Sequence, residues 1–362
     1  MSARPCSRKG GYLMIAIAGF RRILAGPDLA VDLGTANTRL YAGGRGVVVE
    51  EPTVPRDDPR WRYWYRHIRV GRYHETPCQE FPSAPVRAGV VVDVEAAAAL
   101  LVPLIRRAAR RMHLVRPRVL FCTPSDASED ERAALVETAY RAGASVLAVS
   151  PEPLAAALGA GLDPTSRFAS MIVDIGSGVT DIAVIRSGRI IHAAAVRTGC
   201  SDLQSAVAAM VALRHGVRLY PDEAERLMRE TGMHPGVRST GLHPAAGSGS
   251  DGVESTVAVP EDEIRAAMAP VVNTILERIS KVLKDLPPVA ACEVIEDGIC
   301  LTGGGACLRG MADLISQATH LDVRVAPDPL RSVIYGAAQL LRSVEGVPGL
   351  RNSVFVAGSG QR

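Results

Sequence analysis

One seven-residue pattern occurs twice in the 362-residue chain and constrains its fold more than any other feature. Residues 32–38 read Asp-Leu-Gly-Thr-Ala-Asn-Thr and residues 174–180 read Asp-Ile-Gly-Ser-Gly-Val-Thr, so Asp, Gly and Thr share the same offsets. Each copy lies between two apolar runs with the composition of β-strands. A repeated strand–turn–strand unit predicts two lobes of the same design that face each other.

The two turns have the composition of a polyphosphate clamp. Glycines let backbone N–H groups approach phosphate oxygens, hydroxyls donate further hydrogen bonds, and an Asp can hold the waters of a metal ion. One such turn would be weak evidence, because strand-Asp-Gly turns are common. Two turns at matched offsets predict a phosphate-binding site shared by both lobes.

A third glycine-rich segment, Thr302-Gly-Gly-Gly-Ala-Cys-Leu-Arg-Gly310, follows a predicted strand and opens a predicted helix. Glycines there allow a flat base or a ribose to lie against the backbone, and a helix amino terminus favours anions. Taken alone, the segment is equally well explained as a tight turn. Beside two phosphate turns, it predicts a nucleoside contact.

Helices and strands alternate along the rest of the chain, which predicts an α/β fold with a largely parallel sheet. Residues 233–256, rich in Gly, Ser, Pro and His, are interpreted as a loop, and residues 346–362 as a loose tail. Helices are predicted at 94–113, 128–142, 153–161, twice within 200–231, and at 261–286, 307–318 and 329–342. The helix at 128–142 opens with Ser128 and Glu131 at the spacing of a capping box.

Composition excludes several classes of protein. Apolar residues make up 47% of the chain and charged residues 22%, as in a globular protein. No apolar run approaches the roughly 20 residues of a membrane-spanning helix, and a net charge of +3 is too small to indicate nucleic-acid binding. Seven cysteines without a CxxC pair favour a reducing, cytoplasmic compartment over a disulfide framework or a zinc site.

Basic charge is concentrated in residues 1–27, which contain no acid. Within residues 12–24 the apolar side chains fall mainly on one helical face, with Arg21 and Arg22 off it. Three interpretations stay open: an amphipathic helix on the membrane surface, a helix docked on the protein, and a secretory signal. The signal is least favoured, because two arginines follow the apolar stretch where small cleavage-site residues are expected.

A proline-rich and aromatic segment at about residues 51–85 is predicted to form a small subdomain. It contains Trp61-Arg-Tyr-Trp-Tyr-Arg66, which includes both tryptophans of the chain. Aromatic rings interleaved with arginines can stack on nucleic-acid bases. A subdomain that uses these rings as its own small core is the favoured interpretation.

These segments together resemble the MreB/Mbl family, the rod-shape-determining bacterial actin homologues, from about Asp28 to Leu341. The resemblance implies an actin-like, duplicated RNase H-like fold with a nucleotide cleft between two lobes. Lobe I would comprise residues 28–160 and 327–345, and lobe II residues 161–326. The similar segments are 32–38, Val173-Asp-Ile-Gly-x-Gly-x-Thr180, Pro151-Glu-Pro-Leu-Ala-Ala-Ala-Leu-Gly-Ala-Gly161 and Leu301-Thr-Gly-Gly-Gly-Ala-x-Leu-Arg-Gly310.

The resemblance also implies ATP and Mg²⁺ as ligands and a role for each site residue. The nucleotide-binding residues would be Gly34, Thr35, Ala36, Asn37, Thr38, Gly176, Ser177, Gly178, Val179, Glu225, Met228, Gly303, Gly304, Gly305 and Ala306. Asp32 and Asp174 would hold Mg²⁺ through waters, and Glu152 and Thr180 would be catalytic, with Glu152 ordering the attacking water. A simpler interpretation of Glu152 is an acid favoured by the dipole of its helix.

Several positions depart from the family pattern. Val179 lacks the hydroxyl that the family usually has there, and Met228 stands where a lysine is expected. Cys200-Ser-Asp202 stands where the family has a Gly-Asp-Glu run, and Ala88 stands at the Asp of the family's Arg-Asp-Gly triplet. The resemblance implies slow ATP hydrolysis coupled to filament formation, which these departures put in doubt. The alternative is a nucleotide-binding adaptor that does not hydrolyse ATP and is recruited to MreB filaments. A small-molecule kinase is disfavoured, because no acceptor-site acid is recognisable.

The partners implied by the resemblance follow from this role. The protein would bind copies of itself in filaments, the anionic inner face of the cell membrane, and the cell-wall synthesis machinery. Its filaments would direct cell-wall synthesis and cell shape, or the wall of sporulation and septation. No nucleic acid is expected among the partners.

Overall fold

The computed structural model describes residues 28–53, 84–109, 117–144, 146–233, 241–249, 251–343 and 355–358. The predictions for residues 1–27 and for most of the subdomain at 51–85 therefore lie outside the described residues. None of the helices in these ranges is both long enough and apolar enough to cross a membrane.

Nine helices are present in the described ranges, each close to a predicted one except α7, which was not predicted. They are α1 (Val94–Ala109), α2 (Glu129–Arg141), α3 (Glu152–Gly159), α4 (Cys200–His215), α5 (Pro221–Thr231), α6 (Glu261–Lys284), α7 (Pro288–Asp297), α8 (Met311–Thr319) and α9 (Ser332–Ser343). The predicted capping box opens α2: Glu131 N donates to Ser128 Oγ at 3.1 Å, and Ser128 N donates to Glu131 Oε2 at 2.8 Å.

The strands are numbered in chain order. The first eight are β1 (Asp28–Leu33), β2 (Asn37–Ala42), β3 (Gly46–Pro52), β4 (Val86–Arg87), β5 (Val90–Val91), β6 (Arg118–Thr123), β7 (Val146–Pro151) and β8 (Ser170–Ile175). The others are β9 (Thr180–Arg186), β10 (Arg189–Val196), β11 (Arg218–Leu219), β12 (Leu242–Ser248), β13 (Glu254–Pro260), β14 (Ile299–Thr302), β15 (Val323–Val325) and β16 (Phe355–Gly358).

Two sheets of matching design dominate the structure. The first has the strand order β16-β7-β6-β1-β2-β3, and the second has the order β10-β9-β8-β14-β15. In each sheet three consecutive strands are antiparallel, and two further strands continue in parallel from the first of them. The prediction of a largely parallel sheet was wrong, because each repeated unit adds two antiparallel hairpin pairings to the two parallel pairings of its sheet.

The repeated motif forms the same turn in both sheets. Leu33 pairs with Thr38 across the first hairpin, and Ile175 pairs with Thr180 across the second. A backbone hydrogen bond closes each turn, from Gly34 N to the Asn37 carbonyl at 3.1 Å and from Gly176 N to the Val179 carbonyl at 2.9 Å. The duplication predicted from sequence is therefore a structural duplication.

Helices α3 and α9 pack together and share a core with the inner faces of both sheets. Their backbones approach at two glycines. A Cβ added at Gly159 would overlap the carbonyl oxygen of Ser332, and one added at Gly336 would overlap that of Ala155. A side chain at either position would force the helices apart, so α3 and α9 join the two sheets only because both residues are glycine.

Two further cores lie on the outer faces of the sheets. One lies between the first sheet and helices α1 and α2, and the larger one lies between the second sheet and helices α4 to α8. All strands of the first sheet except β16 come from residues predicted for lobe I, and all strands of the second sheet come from residues predicted for lobe II. The residue boundaries of the lobes stay predictions.

The loop predicted at residues 233–256 is wrong in part, because strands β12 and β13 form an antiparallel hairpin from Leu242 to Pro260, while residues 234–240 and 250 lie outside the described residues. The small residues there serve close packing. A Cβ at Gly247 would overlap the carbonyl of Arg218 in β11, which pairs with β12. Pro244 lies beyond the short β11, so its missing N–H interrupts no pairing with that strand.

The loose tail predicted at residues 346–362 is also wrong in part. Strand β16 (Phe355–Gly358) pairs antiparallel with β7 and covers the edge of the first sheet. This strand of four residues is too short to show a helical or strand periodicity in the sequence. An edge strand is stabilised by the backbone pairing that the sheet offers, which a local sequence pattern does not reveal.

Candidate functional site

One cleft collects most of the predicted site residues. It lies where β1, β8 and β14 end, between the two matched turns, the glycine-rich segment after β14 and the start of α3. The predicted residues that line it are Asp32, Gly34, Thr35, Ala36, Asn37, Glu152, Asp174, Gly176, Ser177, Gly178, Val179, Glu225, Met228, Gly303 and Gly304. The carboxyl ends of strands in an α/β structure are a usual place for ligands.

Four predicted residues do not line the cleft. Thr38 and Thr180 are fully buried, and the Thr180 hydroxyl donates to the carbonyl of Thr198 at 2.8 Å. The catalytic assignment of Thr180 is therefore corrected: its hydroxyl holds the second turn in shape. Gly305 is buried against Ile175, and Ala306 N donates to the Gly303 carbonyl at 3.2 Å, so both contribute to the shape of the loop, and their nucleotide contacts stay predictions.

The first turn is braced by the end of β3. Thr53 N donates to the Ala36 carbonyl at 2.9 Å, and Thr53 Oγ1 donates to the Gly34 carbonyl at 2.6 Å. Because the single hydroxyl hydrogen of Thr53 is used there, Thr38 must donate to Thr53 Oγ1, 2.9 Å away. Thr38, predicted as a nucleotide contact, is thus a bracing residue.

The second turn is braced by the start of α4. Cys200 N donates to the Gly176 carbonyl at 3.0 Å, and Ser201 N donates to the Ser177 carbonyl at 2.8 Å. The Ser177 and Ser201 hydroxyls also lie 2.8 Å apart. The first N–H groups of α4 are therefore used to hold the turn, while the turn's own backbone faces the cleft.

The glycine-rich segment touches the second turn directly. Gly303 has a φ of 82°, and an added Cβ would overlap the carboxylate of Asp174 and the carbonyl of Ile175. Gly304 is different, because its Cβ would meet only Cys200 Sγ, at an ordinary 3.6 Å. Gly303 is required for the position of Asp174, and Gly304 leaves open space in the cleft.

The tip of the β4–β5 hairpin spans the two turns, which sequence reasoning missed. Gly89 N donates to Thr35 Oγ1 at 3.0 Å, and Gly89 packs against Val179. Ala88, in the left-handed region at a φ of 47°, accepts a hydrogen bond from Arg197 Nη1 at 2.6 Å. The sequence signal for this hairpin was weak, because Gly89 is the only residue of the Arg87-Ala88-Gly89 triplet that favours a turn.

Three carboxylates that line the cleft, those of Asp32, Glu152 and Asp174, lie close to one another and to the buried Asp181. Burial raises the pKa of Asp174 to about 8 and that of Asp181 to about 6. Burial also raises the pKa of Glu152 well above its ordinary value, and the charges of Asp181, Asp174 and Asp32 raise it further. Glu152 thus lies in the cleft among other acids. The simpler interpretation, an acid favoured only by the dipole of its helix, does not account for this position.

Asp181 is buried and was not predicted. Its Oδ1 accepts from Ser125 N at 2.9 Å and Ser125 Oγ at 2.6 Å, and its Oδ2 has no hydrogen-bond partner among the described residues. Asp181 and Arg39 occupy matched positions after the two turns, opposite Asp174 and Asp32 respectively. Extending the sequence comparison by one residue would have found both.

The donor set fits Mg²⁺ held mainly by waters. Within the described ranges, no three His, Cys, Asp or Glu side chains converge as direct metal ligands. Mg²⁺ usually keeps several waters and uses one or two carboxylates together with phosphate oxygens. Asp32 and Asp174 line the cleft, and burial raises the pKa of Asp174 to about 8, so a cation bound there would favour its ionised form and these two residues would hold such an ion.

The family model described as MreB/Mbl protein matches residues 26–347. The chain belongs to the MreB/Mbl family. The cell shape-determining protein MreB of Escherichia coli is 33% identical over 326 residues, which cover 88% of this chain and 94% of that protein. The cell shape-determining protein Mbl of Bacillus cereus is 29% identical over 327 residues, covering 89% and 97%.

Solved structures confirm the actin-like fold predicted for this MreB/Mbl family member. MreB5 of Spiroplasma citri bound to ADP superposes with a TM-score of 0.77 at 26% identity, covering 89% of this chain and 99% of that one. The same protein bound to AMPPNP gives a TM-score of 0.75 at 25% identity, covering 88% and 97%. The MamK double helical filament, at 20% identity and a TM-score of 0.69, supports the fold alone.

The raised carboxyl pKa values predict that stability falls with rising pH in metal-free, nucleotide-free protein. Asp174 keeps its proton up to about pH 8 in the folded state but loses it near 3.8 when unfolded. The folded state therefore binds more protons between these values, and the stabilisation is lost as the pH rises through about 8. Thermal melts from about pH 6 to about pH 9 should show a falling melting temperature.

Asp174→Asn should flatten this pH dependence, because the amide cannot ionise. Asp130→Asn removes an exposed carboxylate of α2 and should retain the wild-type dependence. A wild-type melting temperature that rises with pH over this range would contradict the assignment.

Proposed function

We propose that the protein is an actin-like, ATP-binding cytoskeletal protein whose filaments lie at the inner face of the cytoplasmic membrane. These filaments would direct cell-wall synthesis and cell shape. The observation that carries the proposal is the convergence of two matched phosphate turns and a glycine-rich nucleoside loop on one cleft. Relatives named as cell shape-determining proteins, and a relative solved with AMPPNP and with ADP, support it.

The phosphates of ATP would lie between the two turns, whose backbone N–H groups and hydroxyls act as a clamp. Thr35 offers a hydroxyl from the first turn, whereas the Ser177 hydroxyl of the second turn is hydrogen-bonded to Ser201 at 2.8 Å. The base and ribose would lie against Gly304, with Glu225 and Met228 of α5 on the other side. Mg²⁺, when bound, would neutralise charge on the β- and γ-phosphates.

Glu152 would orient the water that attacks the terminal phosphate. It is the first residue of α3, so the packing of α3 on α9 fixes where its carboxylate enters the cleft. The positive charge of Arg197 opposes the effect of the acidic neighbours on the pKa of Glu152. Water positioning of this kind is a recurring part of phosphoryl transfer.

A nucleotide-binding adaptor that does not hydrolyse ATP is the second candidate, and two observations favour it. Val179 is buried against the β4–β5 hairpin tip and offers no hydroxyl to the phosphates. Met228 is buried in the core of the second sheet and offers no cation to the nucleoside. The retained carboxylates of Glu152, Asp32 and Asp174 favour the ATPase.

Nucleotide binding is tested at Gly304. Gly304→Phe should weaken binding of a fluorescent ATP analogue at least tenfold, or about 1.4 kcal/mol, because the ring would occupy the space for the nucleoside. Gly304→Ala is the matched control, since its Cβ meets Cys200 Sγ at an ordinary 3.6 Å and should be tolerated. Unchanged affinity in Gly304→Phe would remove this loop from the site.

Hydrolysis is tested at Glu152. Glu152→Ala should leave the affinity for ATP near normal and slow phosphate release at least tenfold, about 1.4 kcal/mol of barrier. Pelleting in ATP, in ADP and without nucleotide measures filament formation in the same samples. If the wild type forms filaments or binds nucleotide but releases no phosphate above the buffer level, the result would favour the non-hydrolysing adaptor over the ATPase.

Membrane attachment rests on the sequence of residues 12–24, which lie outside the described residues. A single amphipathic helix binds modestly and reversibly, and a filament would strengthen attachment by repeating it. Co-sedimentation with liposomes should increase with anionic lipid and decrease for Ile17→Glu. If binding changes neither with lipid charge nor with this substitution, the segment docks on the protein instead.

A further inference from the structure

Arg39 places a guanidinium in the phosphate part of the cleft, where the sequence comparison assigned no positive charge. It follows the first turn and lines the cleft. Its Nε donates to Glu50 Oε1 at 2.8 Å, and its Nη1 lies 3.4 Å from Asp32 Oδ2. Only 11% of the side chain is exposed. Arg39 is therefore a fixed part of the site.

The partners of Arg39 hold it without using all of its donors. Glu50 also accepts from Arg331, at 3.0 Å from Nε and 2.8 Å from Nη2. Arg39 Nη2 has no acceptor among the described residues, and the contact of Nη1 with Asp32 is at the long limit of a hydrogen bond. The guanidinium is thus anchored at Nε and keeps N–H groups for another anion.

The duplicated unit makes this cation unusual within the molecule. Arg39 stands opposite Asp32 in the first hairpin, whereas the matched position opposite Asp174 is Asp181. Asp181 uses one oxygen to accept from Ser125 and lies outside the cleft lining. Of the two matched positions, only the one after the first turn supplies positive charge to the cleft.

We propose that Arg39 is a built-in counter-cation of the phosphate site, which lets this protein bind nucleotide polyphosphates without a divalent metal ion. Without a cation, the phosphates would face the buried carboxylates of Asp32 and Asp174. Arg39 neutralises Asp32 and donates to a phosphate oxygen, a contact for which the planar guanidinium is well suited. The inference rests on the proposed nucleotide site and adds a positioning residue to it.

The experiment compares affinity for a fluorescent ATP analogue in Mg²⁺ and in EDTA. Chelation should weaken wild-type binding less than about tenfold, and should weaken Arg39→Leu at least about tenfold more than wild type, the effect of one charge-assisted hydrogen bond. Arg39→Lys keeps the charge and should lie between them. Arg331→Gln is the matched control, because it contacts the same Glu50 but does not line the cleft.

Each outcome decides the inference. Equal sensitivity to EDTA in wild type and Arg39→Leu overturns it and leaves Arg39 as a structural ion pair. If Arg39→Leu does not fold in a thermal melt, the wild type decides alone: a loss of about 100-fold or more on chelation overturns the inference. Wild-type protein that binds no nucleotide in either buffer refutes the proposed function itself, which is distinguishable from both results.

Discussion

The contact between α3 and α9 is the constraint on which the rest of the structure depends. These helices lie between the two sheets and share a core with both. Gly159 and Gly336 bring their backbones together so closely that no side chain fits at either position. Because Glu152 begins α3 and Pro329 and Val333 line the cleft beside α9, this contact also fixes one wall of the site.

A second constraint is electrostatic. Asp32 and Asp174 are the penultimate residues of β1 and β8, and both carboxylates are buried near Glu152 and Asp181. Burying charge without a partner is costly, so the folded protein either keeps protons on these groups or binds a cation or a ligand that brings one. The site is stabilised by the same ligand that it is proposed to bind.

The lobes are also joined across the mouth of the cleft. Arg197, after β10, donates to the Ala88 carbonyl and pairs with Asp126 and Glu131 of the α2 region. Gly89 contacts Thr35 of one turn and packs against the other. A nucleotide that enters between the turns must therefore fit beneath the β4–β5 tip, so that hairpin is part of the phosphate site.

The sequence by itself determined the two turns, the glycine-rich loop and most of the helices, because these depend on local patterns. Asp32, Gly34, Asp174 and Gly176 stand at matched offsets in the repeated motif, and the structure places all four in one cleft. The capping box of α2 was also readable, since both of its hydrogen bonds lie within four residues.

Tertiary structure decided the rest. Whether a hydroxyl faces a ligand or a neighbouring strand cannot be read from a motif, so Thr38 and Thr180 were assigned to the ligand although they brace the turns. The hairpin from β12 to β13 was hidden because its glycine and serine content reflects close packing on β11. Arg39 acquired its role only when folding placed it between Asp32 and Glu50, because a charge has a function only relative to the charges around it.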